Sequence, residues 1–341
     1  MEINILTSNS LDEYENFISQ DPNTLLYHSK KYINFVSELL KCPKMIFLAI
    51  DKNKNIVAAL PLIFKEGKYG KVYNSLPYYG SNGGITSNRN DATFALIKEL
   101  NKLSKLSDTA SITIVENPLS DIKYTNFNFN LIDTRIGQFT MLPKDLSDEN
   151  ELLKLFHGKT RNVIRKANKS DLEFFIDNNE FEFIRKTHKE NMQSIGGLSK
   201  QDEFFKMIPR KFISDQDYKI YIAKYKNKPI AGLLLFYYNQ TVEYFTPVIK
   251  NEFREKQALS GLIFKAMLDA IQFNFRIWNW GGTWLSQEGV FRFKNRWNAN
   301  NIEYKYLTNL SNKDILKLSK EELLDQYKNF YVCPFSKLLT K

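Results

Sequence analysis

The chain has 341 residues, 43% of them hydrophobic, and its 48 Lys+Arg against 38 Asp+Glu give a formal charge of +10. That length accommodates two domains of ordinary size, each with its own core. With Cys42 and Cys333 as the only cysteines, far apart in the chain, a disulfide scaffold and a cysteine-based zinc site are both excluded. His28, His157 and His188 are scattered likewise. No run of about 18 apolar residues suggests a transmembrane helix. The start, MEINILTSNSLDEYENF, lacks the basic region, apolar run and small-residue cleavage site of a secretory signal, so a cytoplasmic location is expected. The basic excess suits a nucleic acid, an anionic membrane face or a phosphate-bearing substrate, although lysine-rich surface turns supply much of it.

In chain order, helical patterns cover Leu11 to Ile18 and Ser29 to Leu40. FLAIDKNKNIVAALPLIF around Phe47 follows, and its form of apolar run, polar turn and second apolar run predicts a β-hairpin. A strand over Lys71 to Leu76, a helix over Asp91 to Leu106 and a strand over Ser111 to Val115 come next. Phe94, Ile97, Leu100 and Leu103 fall at helical spacing and are expected to form that helix's apolar stripe. A break in Leu142 to Asp148, LPKDLSD, marks a domain junction. Helices are then expected over Glu149 to His157, Lys159 to Asn168, Asn179 to Ile195 and Gln201 to Ile213, with a short strand over Leu172 to Ile176.

YIAKYKNKPIAGLLLFYY around Tyr221 repeats the first hairpin without a gap: Ala49 aligns with Ala223, Lys52-Asn53-Lys54 with Lys226-Asn227-Lys228, and Ile56 with Ile230. A strand over Val242 to Pro247, a helix over Gln257 to Phe275 and a strand over Arg276 to Trp280 complete the second copy. Hairpin, strand, helix, strand thus occurs twice, which predicts two similar α/β domains in tandem. They are placed at 1–145 and 146–310, with a helical tail over 311–341.

Three constellations could carry chemistry. Gly80-Ser-Asn-Gly83-Gly84 follows a predicted strand end and Tyr78-Tyr79, where glycines let a backbone approach a ligand. KTRNVIRKANK sets Arg161 and Arg165 four apart on one helix face, with no acid between Gly158 and Ser170, an arrangement that suits an anionic partner. The third, RIWNWGGTWLSQEGVFRFKNRW from Arg276 to Trp297, holds all four tryptophans, Gly281-Gly282, a polar loop with Ser286, Gln287 and Glu288, and a basic aromatic ending. It reads either as a packed corner or as the wall of a cleft. Its counterpart, Ser111 to Asn117, has neither tryptophans nor a basic ending, and this asymmetry favours the cleft wall. Trp278 and Trp280 are expected to be core on at least one face. Nucleotide fingerprints, G-x-S-x-G, H-E-x-x-H and kinase signatures are all absent, and Glu288, Asp217 and Glu243 have no spacing that marks a general base.

KTRNVIRKA, the second hairpin, Trp278-Asn279-Trp280-Gly281-Gly282, and Gly289-Val290-Phe291-Arg292-Phe293-Lys294 followed by Trp297 together resemble the FemAB-like acyltransferases. Tyr27-His28-Ser29 with Tyr32, and Leu60-Pro61-Leu62 with Ser75-Leu76-Pro77 and Gly83-Gly84, are similar to the first domain of that family. The resemblance, over roughly residues 20 to 308, implies an α/β (α+β) fold of two tandem GNAT-like domains, each a mixed, mainly antiparallel sheet flanked by helices.

It further implies transfer of an aminoacyl group from aminoacyl-tRNA, or of an acyl group from acyl-CoA, to an amine of a lipid-linked or nucleotide-linked cell-envelope precursor. The donor is a cosubstrate, and no tightly bound cofactor or metal is expected. Peripheral contact with a membrane fits such an acceptor. Carried over onto this sequence, Lys294 is the position for charge stabilisation. Arg161, Arg165, Tyr79, Gly83, Gly84, Gly281, Gly282 and Phe291 are candidates for substrate binding. Gln257-Ala-Leu-Ser260-Gly261-Leu262 departs from the GNAT pyrophosphate loop, and its leucine is expected to crowd the amides there, which favours tRNA over CoA as donor. The stretch Asn168 to Tyr218 is too short for the long helical arm of some tRNA-dependent members. Two other readings are N-acylation of an amino sugar by acyl-CoA in surface-polysaccharide synthesis, and a non-catalytic module that binds a nucleotide-sugar or RNA.

Overall fold

A computed structural model describes residues 1–6, 12–78, 82–284 and 287–339. The chain forms two compact units, Met1–Arg135 with Glu303–Lys341, and Ile136–Ile302. The sequence reading places its boundaries at 145 and 310 instead. The grouping follows from backbone pairing: Tyr306 to Leu310 pair antiparallel with Val115 to Ser111. The tail beyond them clasps the same sheet, since Tyr331 N donates to Asn74 Oδ1 and Tyr327 Oη to the Gly70 carbonyl.

The first unit contains β1 (Glu2–Leu6), α1 (Asp12–Ser19), α2 (Lys30–Leu40), β2 (Lys44–Ile50), β3 (Ile56–Gly67), β4 (Gly70–Asn74), β5 (Thr86–Ser87), α3 (Asn90–Leu103), β6 (Thr109–Val115) and the first residues of β7 (Leu131–Met141). Its sheet runs β1-β2-β3-β4-β6, antiparallel except for β4 against β6, which the α3 crossover makes parallel. On α3, Leu96, Ile97, Leu100 and Leu103 enter the core, whereas Phe94 is 52% exposed. Phe94 therefore leaves the predicted stripe, and Ala92, Thr93 and Leu96 occupy the buried face in its place.

The second unit continues from β7 with α4 (Glu149–Leu155), α5 (Gly158–Lys169), β8 (Leu172–Ile176), α6 (Phe181–Ser194), α7 (Asp202–Lys211), β9 (Tyr218–Tyr225), β10 (Lys228–Tyr238), β11 (Thr241–Ile249), α8 (Ala258–Gln272), β12 (Ile277–Thr283) and α9 (Glu288–Asn295). β13 (Ala299–Leu310) begins in this unit, and α10 (Lys320–Gln326) lies in the tail of the first. Residues 136–141 of β7 pair with β12, and the order then runs β12-β11-β10-β9-β8. The apolar stripe of α8 lies in this unit's core, where Leu262, Ile263, Ala266, Met267 and Ala270 are fully buried.

Each hairpin carries one bulge near its turn, one position apart in the alignment. Ile50 pairs with Ile56 and Ala49 with Ala58, so Val57 is bulged out; Lys224 pairs with Pro229 and Ala223 with Ala231, so Ile230 is. The second hairpin turns on two residues, Lys226 and Asn227, at φ 50° and 61°, the left-handed geometry that matches strand twist in tight hairpins.

Gly83 and Gly84 are both buried, and packing explains them. A Cβ on Gly83 would lie 2.7 Å from the Ser75 carbonyl oxygen, and one on Gly84 would lie 2.5 Å from Tyr124 Oη. That hydroxyl accepts a hydrogen bond from Ile85 N at 2.8 Å. Gly84→Ala should therefore cost about 1–3 kcal/mol of overpacking, read as a lower denaturation midpoint in urea.

Candidate functional site

The sequence brings β11 and β12 together and then parts them. They pair in parallel only from Thr241–Ile277 to Glu243–Asn279, although β11 runs on to Ile249 and β12 to Thr283. Both strands are bulged just past the last pair. Leu234 pairs with Thr246 and Leu235 with Tyr244, leaving Phe245 over. On β12 the register against β7 slips between Asn279–Phe139 and Gly282–Gly137, so Trp280 and Gly281 face Gln138 alone. A bulge bends its strand and re-aims the residues after it. Tyr244 meets the opening, its ring 4.9 Å from that of Trp280.

The tryptophans resolve the choice between packed corner and cleft wall for three of the four. Trp278, Trp280 and Trp297 are buried, and Ile277 and Asn279 are buried too, so this part of β12 is covered on both faces. Phe293 of α9 packs edge-on against Trp280 at 5.9 Å and Trp297 at 6.3 Å, which anchors the helix beside the end of the strand. Trp284 alone is 46% exposed.

Those aromatic contacts carry Lys294 inward. It is only 6% exposed. Its Nζ donates to Thr283 Oγ1 at 2.8 Å and, at 3.3 Å each, to the carbonyls of Gly281 and Gly282. Thr283 Oγ1 in turn donates to Gln138 Oε1, and Gln138 Nε2 reaches the Phe291 carbonyl and Asn301 Oδ1. Every acceptor of the ammonium is neutral, and burial alone pushes its pKa down from 10.5 to about 8. It still carries its proton at neutral pH, as a poorly solvated cation.

The other predicted residues are distributed as follows. Gly281, Gly282, Lys294 and Phe291 belong to one network through the bonds just given. Arg161 Nη1 donates to the carbonyls of Phe156 at 3.2 Å and Lys154 at 3.4 Å, satisfying the open end of α4. Arg165 is exposed on α5, which buries Thr160, Ile164 and Ala167. Tyr79 and Ser286 lie outside the described residues. Leu262, expected to crowd the start of α8, is fully buried in the core instead; Gly261 there packs against the Phe174 ring, 2.5 Å from where a Cβ would stand. In the first unit a polar cavity of ≈ 620 Å³ is lined by residues such as Gln20, Asn88, Arg89 and Thr93, and neither Gly83 nor Gly84 reaches it.

One residue the sequence reading passes over is Lys200, between α6 and α7. Its Nζ lies 5.1 Å from the ring centroid of Phe245 and 5.9 Å from that of Phe204, two rings stacked 5.6 Å apart. Burial lowers its pKa to about 8, and burial with the neighbouring Lys200 charge lowers that of His188 to about 4. A lysine between a Gly-Gly pair and a Phe-Phe pair was the available signal. Among the described residues no cluster of His, Cys, Asp and Glu could hold a metal ion, and no helix is long and apolar enough to cross a membrane.

Comparison of the fold gives FemX, with a TM-score of 0.71 at 16% identity over 90% of this chain and 97% of that one. A protein of unknown function from Bacteroides thetaiotaomicron gives 0.58 at 12% identity over 91% and 100%. A tandem GNAT protein from the clavulanic acid biosynthesis pathway gives 0.51 at 9% identity over 91% and 99%. The fold is therefore of the tandem GNAT class, as the resemblance implies. Residues 176–305, which include the hairpin, the bulged strand and Lys294, match the model of the FemAB family. Over residues 176–305 the chain is thus similar to the FemAB family, and its fold is similar to that of FemX. No curated protein matches it by sequence.

The buried amine has a stability signature whose sign is fixed by linkage. A lysine whose folded pKa lies below its unfolded value binds fewer protons when folded, so its burial costs most below pH 8, and the cost fades as the pH rises from about 8 to 10.5. Lys294→Met should lose that gain on going to high pH, up to about 3 kcal/mol from the shift at 1.36 kcal/mol per unit. Urea denaturation of both proteins at pH 7.5 and pH 10 checks it.

Proposed function

We propose that the protein is an N-acyltransferase of FemAB type, which transfers an aminoacyl group from aminoacyl-tRNA to an amine of a cell-envelope precursor. The observation that carries this reading is the buried ammonium of Lys294 at the bulged end of β12, where the strand leaves its parallel partner. In such a transfer the acceptor amine attacks the ester carbonyl, and the new C–N bond forms as the C–O bond to the donor breaks. The amine's proton leaves with the departing oxygen. A tetrahedral oxyanion lies between, and a fixed donor in a water-poor site stabilises it strongly. Two of the three bonds to the Lys294 ammonium are long, and a substrate oxygen can replace one of them without a new desolvation cost. The basic net charge of the chain and the exposed Arg165 of α5 support an acceptor or donor that bears phosphates.

A second reading, with acyl-CoA as donor and an amino sugar as acceptor, draws support from the opening between β11 and β12. Strand edges without a ladder partner can bond the amides of an extended thioester arm. The buried Leu262 leaves the start of α8 uncrowded, which removes one argument against this donor.

Incubation of the purified chain with charged tRNA and a nucleotide-linked envelope precursor should give a product heavier by one aminoacyl group. Product from acyl-CoA with an amino sugar, and none from charged tRNA, would establish the second reading. Binding without turnover of either donor would establish a non-catalytic module. Lys294→Met should lower kcat by about 100-fold or more, the scale of losing an oxyanion donor, while the fold is retained.

A further inference from the structure

We propose that Asn279, held in place by Glu243, is the positioning residue for Lys294: its side chain locks the bulge whose carbonyls fix the ammonium. The catalytic meaning of this rests on the role of Lys294 proposed above; the structural relay does not.

Asn279 and Glu243 are cross-strand neighbours in the last pair before β11 and β12 part. They are 1% and 2% exposed. The preceding pair, Val242 with Trp278, is apolar and buried. Burying an amide and a carboxyl group costs several kcal/mol unless their hydrogen bonds are made, so packing alone gives no reason for a polar pair here. The bonds made are specific. Asn279 Nδ2 donates to Glu243 Oε2 at 2.8 Å, and Asn279 Oδ1 accepts from Gly281 N at 2.8 Å. An amide has donors at one end and an acceptor at the other. With its donor end committed to the carboxyl group, its acceptor end is turned toward the backbone two residues on.

That backbone is the bulge. Gly281 sits at φ 73°, the left-handed region, and a Cβ added to it would meet nothing within 4 Å. Glycine is required there by the turn and not by crowding. The turn sends the carbonyls of Gly281 and Gly282, one after the other, toward Lys294 Nζ. Glu243, Asn279, the Gly281 amide, the two carbonyls and the ammonium form one chain of contacts. Residues 136–141, β12 and residues 299–302 contain no charged side chain, and on β11 the buried ionisable group is Glu243, which reaches the ammonium through Asn279 and the bulge. On α9, Glu288 pairs with Arg292 at 3.7 Å on the exposed side, and Arg296 follows the helix. The position of the amine is thus set by dipoles, and these are set by Asn279.

The test reads the amine itself and needs no substrate. The full chain is labelled with acetic anhydride across pH 6 to 11, and the extent at each lysine is read by mass spectrometry, with exposed Lys166 and Lys169 as internal references. In the wild type Lys294 should label slowly, with a midpoint at about 8. In Asn279→Ala the limiting rate at Lys294 should rise by about tenfold and the midpoint should move up toward the ordinary lysine value, with the references unchanged. Glu243→Gln keeps an acceptor for Asn279 Nδ2 and should behave as wild type, whereas Glu243→Leu should behave as Asn279→Ala. An unchanged rate and midpoint at Lys294 in a folded Asn279→Ala protein overturns the proposal. If that variant does not fold, Glu243→Leu decides in the same way. Full transfer activity in Lys294→Met would remove the catalytic role of the lysine and leave the labelling result standing, so the two failures are distinct.

Discussion

A cation held away from water against neutral acceptors, the ammonium of Lys294, is the constraint on which the end of β12 depends. An ammonium at 6% exposure with no counter-charge among its bonds is expensive, and the fold meets the cost with three oxygens whose places are themselves determined. Two are backbone carbonyls that only a bulged strand could present in succession, and the third is the hydroxyl of Thr283, tied to the buried Gln138. The bulge needs a left-handed residue, hence Gly281, and a lock, hence Asn279. The rings of Trp280, Phe293 and Trp297 hold the helix that delivers the lysine.

The two copies of the repeat treat the same point in the fold differently. In the first unit β4 stops at Asn74, and its parallel pairing with β6 extends to that last residue. In the second, β11 continues six residues past its last pair with β12, so the strands part while both are still extended. A sheet that parts in this way exposes backbone in the interior of a unit, and proteins keep such groups satisfied or use them. Past the last pair, the carbonyls of Gly281 and Gly282 on β12 accept from the buried lysine, and Tyr244 on β11 packs beside Trp280. That difference gives the asymmetry in the sequence a physical meaning. The glycines of the first unit answer to contacts with Ser75 and Tyr124, while Gly281 answers to the conformation of the backbone.

The periodicities of the sequence were enough for most of the secondary structure. Leu172–Ile176 was legible to the residue. The apolar stripe of α8 was explicit because a 3.6-residue period kept up along a whole helix cannot line one face of a strand. The repeated hairpin was legible because a polar turn between apolar runs is a local signal. Strands whose partners are distant in sequence were not. β1, β7 and β13 were missed, and with them the return of 303–341 to the first unit, because nothing within Tyr304 to Leu310 specifies that its partner is Ser111 to Val115. Phe94 was assigned to a buried face by its spacing alone, yet which residues of α3 meet the sheet is decided by the neighbours.

For the site, the sequence by itself determined the inventory: Gly281-Gly282, the aromatic and basic run ending at Lys294, and the asymmetry that set this stretch apart from its counterpart. Residue type and local spacing suffice for that, since a glycine pair breaks a strand and lysine carries its charge anywhere. Only the tertiary structure decided what these residues do to one another. It turned Lys294 inward and gave Arg161 the carbonyls of α4 as partners. It placed Asn279 and Glu243, thirty-six residues apart, at one hydrogen-bond distance in the core. The physical reason is that burial and register are properties of packed elements: an amine's protonation and an amide's orientation depend on which groups surround it, and those neighbours are chosen by the fold.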